Sequence, residues 1–154
     1  MAEIRLLRHA PWAPGLSLLG LGPNLQPTRG LKKLKLLLDQ HSFWASNRSY
    51  KELRRMLFGS SLVISAWSGK RMVGFGRATS DGIFRAVLWD IVVPRDLQGK
   101  GIGKKIVKAL MDSKKIRQVE RVYLMTTHSA DFYHQLDFEN VTSQKLLLRK
   151  PNQK

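Results

Sequence analysis

The stretch Val92–Lys105, VVPRDLQGKGIGKK, leaves an apolar run, turns at Pro94 and enters a helical pattern through Gly99, Gly101 and Gly103. Glycines at these points let the backbone approach an anion closely, and the amino terminus of the following helix adds a dipole that favours negative charge. Lys100, Lys104, Lys105 and Arg95 bring cationic side chains to the same place. The stretch therefore reads as a phosphate-binding turn, with a plain tight turn as the alternative.

Working outward, three runs rich in Val, Ile, Phe and Trp precede it, Ser61–Trp67, Arg71–Thr79 and Phe84–Val93, separated by Ser68-Gly69-Lys70 and Ser80-Asp81-Gly82. Breaks this short predict an antiparallel meander. Upstream, Leu31, Leu34, Leu37 and Leu38 repeat at helical spacing, and Ser49 followed by Glu52 marks the start of a second helix ending at Phe58. Downstream the pattern predicts a helix over Gly103–Lys115, a strand over Arg121–Thr126 and a short helix over Ser129–Leu136. Two further strands are expected, around Phe138–Val141 and Lys145–Arg149. The order defines an α+β domain with a mixed sheet rather than a doubly wound one. Its expected span is 31–150, with residues 1–30 as a Pro- and Gly-rich arm carrying at most an edge strand at Ile4–Leu7, and 151–154 as a basic tail. Pro11, Pro14 and Pro23 argue against a targeting peptide at the amino terminus.

Two well-known nucleotide loops fit the glycine run poorly. A Walker loop needs Ser or Thr after its lysine, but Lys105 follows Lys104. The dinucleotide fingerprint needs a glycine three residues past Gly101, where Lys104 stands, and a parallel start where a meander is predicted. The run Gln98-Gly99-Lys100-Gly101-Ile102-Gly103, preceded by Val92-Val93-Pro94 and followed by an amphipathic helix, resembles the Q/R-x-x-G-x-G/A motif of the GNAT superfamily of N-acetyltransferases. Arg77–Asp81 together with Trp89-Asp90 is similar to its cyanobacterial and plastid branch, related to plant chloroplast enzymes that acetylate arylalkylamines such as serotonin and protein lysines. The resemblance covers about Leu31 to Phe138. It implies a mostly antiparallel mixed sheet, flanked by helices and splayed beside the glycine loop, with acetyl-CoA in the opening. It further implies pyrophosphate on the amides of Gln98, Gly99, Lys100, Gly101, Ile102, Gly103 and Lys104, and pantetheine along the backbone of Ile91, Val92 and Val93.

The same resemblance puts Tyr133, in Asp131-Phe132-Tyr133-His134-Gln135-Leu136-Asp137-Phe138, where the family carries a tyrosine that protonates the departing thiolate or stabilises its developing charge. From spacing alone Tyr133 is equally a packing aromatic beside Phe132 and Leu136. The family's glycine after this helix is Asp137 here, a residue that tolerates a left-handed turn. An amine nucleophile has a pKa near ~10 and must lose a proton. Asp90 is the candidate base, as the lone carboxylate in the apolar run Ala86–Val93, where burial raises basicity. The alternatives are a structural Asp90 and ordered water. Trp44, Trp67 and Trp89 could line an aromatic acceptor pocket or serve as core, and His128 could line the acceptor side.

Lys+Arg 27 against Asp+Glu 11 gives a net charge of +16, which attracts nucleic acid, anionic lipid or a phosphorylated cosubstrate alike. The absence of cysteine excludes disulfides, thiolate metal sites and acyl-cysteine chemistry, and the four histidines show no metal spacing. No apolar run reaches the ~18 residues that span a bilayer. The expectation is an enzyme that uses acetyl-CoA and an amine acceptor, monomeric or homodimeric, in a bacterial cytoplasm or chloroplast stroma. The rival is a basic module for RNA or ribosomal partners with little catalysis, suggested by the charge and by the acid-free end Lys145–Lys154.

Overall fold

The computed structural model describes residues 3–9 and 29–151. The expectations for an arm over 10–28 and for the last tail residues, 152–154, lie outside the described residues. Five strands form one sheet in the order β1 (Ile4–His9), β2 (Leu62–Ser68), β3 (Arg71–Ser80), β4 (Arg85–Val92) and β5 (Arg121–Tyr123). The first four are antiparallel neighbours, and β4 and β5 run parallel. The meander is as the turns at Ser68–Lys70 and Ser80–Gly82 predict. All six residues of β1 pair with β2, so the edge strand expected at Ile4–Leu7 is present and continues to His9.

Both faces of β2 are covered, which its sequence LVISAWS shows as an unbroken buried run from Leu62 to Trp67. One face, with Val63, Trp67 and Phe75, packs against α1 (Gly30–His41) and α2 (Tyr50–Phe58) through Leu34, Leu38, Leu53 and Leu57. The other, with Ile64, Ala66 and Val73, packs against α3 (Ile102–Met111) through Ile102, Ile106 and Leu110. α2 opens on the predicted capping box: the Ser49 hydroxyl accepts the Glu52 N–H at 3.1 Å, and the Glu52 carboxylate accepts the Ser49 N–H at 2.8 Å.

Gly74 and Gly76 on β3 set how closely α3 lies on the sheet. A Cβ at Gly76 would stand 2.8 Å from Ile106 Cγ2 and 3.3 Å from Leu110 Cδ1. No larger residue fits there without lifting the helix. The role of these glycines is this close approach.

Four expectations need correcting at the carboxyl-terminal side. α3 stops at Met111 rather than Lys115, because Asp112 caps it and the chain turns to bury Ile116. β5 is three residues long rather than six, because β4 bends away after Val87. α4 is a single short helix, Ala130–His134. The strands expected at Phe138–Val141 and Lys145–Arg149 do not form: residues 139–150 are exposed, with Leu146, Leu147 and Leu148 at 78–87%. Three adjacent leucines cannot share one pleated face, and β5 offers only a short ladder to pair with.

His9 joins the described amino-terminal strand to the core. Its imidazole is 4% exposed, with Nε2 2.7 Å from the Ser65 hydroxyl, which also accepts the Trp67 indole N–H at 2.7 Å. Burial pushes the His9 pKa down to about 4. The unfolded chain therefore binds a proton that the folded chain rejects between pH ~6.5 and ~4. Stability is full above ~6.5 and falls by on the order of 3 kcal/mol as pH drops to ~4. Urea denaturation across that window should show the slope in the wild type and a nearly flat profile in His9→Gln.

Candidate active site

The β4–β5 ladder pairs Arg85 with Arg121, Ala86 with Val122 and Val87 with Tyr123, and then ends. Beyond Val87 the outer edge of β4 has no strand partner among the described residues. The cause lies on the other side of β4. Phe75 pairs with Val92 and Arg77 with Trp89, so Asp90 and Ile91 together oppose the single residue Gly76. This bulge is completed by Asp90 in left-handed backbone, φ 52°.

Asp90 is held there by two arginines. Its Oδ2 accepts from Arg48 Nη1 and from Arg77 Nε, both at 2.9 Å, and the side chain is 5% exposed. Burial acts to raise the Asp90 pKa, but hydrogen bonds and charge from Arg48 and Arg77 outweigh it and hold the carboxyl below the ordinary range. The gain in basicity expected from burial is therefore not found. A carboxylate in this state is a poor proton acceptor and a good structural anchor. Arg77 also lies over the Trp89 ring at 5.7 Å, and the Trp89 indole donates to Thr79 Oγ1 at 2.9 Å.

After β4, Pro94 and a short 3₁₀ turn, Arg95–Leu97, lead into the glycine loop. Arg71 pins this turn to the start of β3 by donating to both Asp96 oxygens, at 3.1 and 3.0 Å. Gly99 and Gly101 are left-handed, φ 79° and 82°, with nothing within 4 Å of where a Cβ would stand. Gly101 is the N-cap of α3, and no side chain caps the helix. Among the described residues, the amides of Gly99 through Gly103 have no hydrogen-bond partner. Lys100, Lys104 and Lys105 are exposed around them. A concave row of free N–H groups rimmed by ammonium groups is what a polyphosphate requires.

Gly103 has a second role. A Cβ there would meet Phe132 Cζ at 3.2 Å, so the glycine lets α4 lie against the first turn of α3. Tyr133 is the next residue, packed edge-on against Phe132 at 4.9 Å and Phe138 at 5.9 Å. Burial pushes its pKa up to about 12. Its hydroxyl has no hydrogen-bond partner among the described residues. The turn after α4 is kept by Asp137 in left-handed backbone, φ 66°, with the Phe138 N–H reaching Tyr133 C=O at 3.1 Å.

Of the three tryptophans considered for an acceptor pocket, Trp67 is core and Trp89 is tied to β3. Trp44 is half exposed and pairs edge-on with Phe43 at 5.1 Å, and Phe43 in turn lies 6.4 Å from the His128 ring. The contact joins the segment between α1 and α2 to the segment after β5. Arg48 and Phe43 carry no sequence signal that selects them. Arg77 could have been found from the β3–β4 register.

A meander followed by a parallel strand, splayed beside a glycine loop that starts a helix, defines the GNAT fold. Residues 32–138 match the acetyltransferase (GNAT) family, and the chain belongs to it. An N-acetyltransferase of Porphyra purpurea, ycf52, is 39% identical over 98 residues, covering 59% of this chain and 55% of its own. The chloroplastic GCN5-related N-acetyltransferase 2 of Arabidopsis thaliana is 38% identical over 71 residues, 46% of this chain and 28% of its own. The chain thus spans about half, or less, of the length of these relatives. A GNAT-family structure from Xanthomonas campestris superposes with a TM-score of 0.73 at 22% identity, covering 97% of this chain and 94% of that one. At that identity it speaks for the fold alone.

Asp90→Asn leaves two arginines facing a neutral group and should cost about 3 kcal/mol at pH 7. Because the folded carboxyl titrates below its unfolded value, that contribution is complete above pH ~3.9 and fades only as pH falls through the folded pKa. Guanidinium midpoints for both proteins from pH 7 to pH 3 check the size and the sign.

Proposed function

We propose that the chain is an acetyl-CoA-dependent N-acetyltransferase that moves the acetyl group directly to a primary amine. The observation that carries this reading is the pair of unsatisfied backbone rows: the amides of Gly99–Gly103, and the unpaired edge of β4 ending beside them. The amides from Gln98 to Lys104 would hold the pyrophosphate, with Lys100, Lys104 and Lys105 adding charge. The backbone groups of Ile91, Val92 and Val93 would pair with the pantetheine arm as an added strand, a recognition mode that needs no polar side chains.

Acetyl-CoA supplies a thioester whose leaving atom is a thiolate. A thiol titrates near ~8.5, so full transfer from a phenol at about 12 is uphill. Tyr133 accordingly stays protonated and stabilises the departing sulfur by donating a hydrogen bond. Asp90, with its lone pairs taken by Arg48 and Arg77, is left to structure, and the amine's proton leaves through water. The acceptor class is an arylalkylamine, another small amine, or a protein lysine or amino terminus. The Arabidopsis relative, described as chloroplastic, supports a stromal or cyanobacterial setting. Among the described residues no helix is long and apolar enough to cross a membrane.

Isothermal titration with acetyl-CoA, followed by thiol release on adding amines, tests the reading. Gly101→Ala forces a methyl-bearing residue into left-handed backbone at about 1 kcal/mol, and relief of that strain shifts the amide row. Acetyl-CoA affinity should fall at least about tenfold, with the folded structure retained. Tyr133→Phe should lower kcat by roughly 100-fold with acetyl-CoA affinity unchanged. The wild-type kcat should show no alkaline decline up to pH ~10, because the phenol titrates well above that. Absence of acetyl-CoA binding, with steeply salt-dependent RNA binding, would support the basic binding module instead.

A further inference from the structure

We propose that Arg48 is a positioning residue for the acceptor: through Asp90 it ties the segment between α1 and α2 to the β4 bulge and so holds the Phe43–Trp44 pair over the opening in the sheet. The inference rests on the acetyltransferase reading above. Gly99–Gly103 start α3, so the phosphate end of the donor enters from the α3 face. The amine must reach the acyl carbon from the other face, where α1 and α2 pack.

The segment 42–49 is organised on that face from both ends. Asp39 on α1 accepts the Asn47 N–H at 2.8 Å and the Lys35 ammonium at 3.0 Å, and Lys35 also donates to the Arg48 carbonyl at 2.9 Å. Ala45 is buried in the α1–α2 core. From this frame the Arg48 guanidinium reaches Asp90, while Nη1 also lies 3.2 Å from Met56 Sδ. Phe43 and Trp44 are 69% and 49% exposed, a large apolar pair whose Phe43 ring lies 6.4 Å from that of His128 after β5. Aromatic faces at such a mouth suit the body of an organic amine and, before deprotonation, its cation.

Arg48 can be removed without undoing the bulge, because Arg77 still pairs with Asp90 at 2.9 Å. Arg48→Met keeps the aliphatic stem while removing the guanidinium, and with it both the tether to Asp90 and the contact with Met56 Sδ. Initial rates of thiol release would be measured with tryptamine and with a lysine peptide against acetyl-CoA. The variant should raise the acceptor KM about tenfold, leave the acetyl-CoA KM within about twofold and leave kcat largely intact, with Arg48→Lys recovering part of the loss. Phe43→Ala should raise the same KM, and the double variant should fall short of the product of the two effects. An unchanged acceptor KM in folded Arg48→Met, an equal rise in both KM values, or a fully multiplicative double variant overturns the proposal. If the wild type turns over no amine, the acetyltransferase reading fails instead. Hydrogen exchange then still reports the tether: the amides of 43–47 should exchange at least about tenfold faster in Arg48→Met, and equal rates overturn it.

Discussion

Asp90 occupies a backbone conformation that costs a side-chain-bearing residue about 1 kcal/mol, and two arginines converge on it at 2.9 Å. The consequence is geometric. With two residues of β4 set against Gly76 alone, the strand bends, and its parallel pairing with β5 stops three residues before the bulge. A straight β4 would have continued the ladder along Leu124–Thr126 and consumed the backbone edge that is left open. The open edge, the short β5 and the gap between the faces all follow from that one bend. The charge pair is therefore better described as the device that shapes the sheet than as part of the chemistry within it.

The second constraint is how close α3 stands. Ile106 meets β3 where Gly74 and Gly76 present no Cβ, and this seats the first turn of α3 low against the end of β4. The glycine loop thus faces the open strand edge instead of solvent at large. At the same turn Gly103 admits Phe132, which brings Tyr133 to the neighbourhood of the loop. Four glycines in two pairs act by what they omit. Gly99 and Gly101 provide left-handed backbone, whereas Gly74 and Gly76 provide a close approach.

The meander, the capping box at Ser49 and the loop–helix transition at Gly101 were legible because each is local: turn residues, a three-residue cap spacing, a glycine run beside a helical stripe. Asp137 was legible for the same reason, as its left-handed φ of 66° shows. What failed was non-local. The length of β5 depends on the bulge in β4, and the bulge is held at Asp90, one of whose two partners, Arg48, lies forty-two residues earlier in a segment without periodicity. The same partner reversed the reading of Asp90, since a lone carboxylate in an apolar run raises its pKa only if no cation joins it. The carboxyl-terminal leucines misled in the other direction: their composition favours a strand, but a strand is made by its neighbour.

The excess of positive charge has a structural side. Asp39 holds the segment before α2, Glu52 closes a cap, Asp81 accepts three amides of the β3–β4 turn, Asp90 shapes the bulge and Asp96 pins the glycine loop. These carboxylates, among eleven in the whole chain, are committed to particular backbone or guanidinium partners, so the surface they leave is cationic. A diffuse field of that kind is screened within ~8 Å at physiological salt and treats one phosphate much like another. Selection among phosphates must then come from contacts shorter than the screening length. The left-handed glycines, the uncapped first turn of α3 and the adjoining edge of β4 are the arrangement described above in which several such contacts converge, so the ligand preference follows from the loop and not from the net charge.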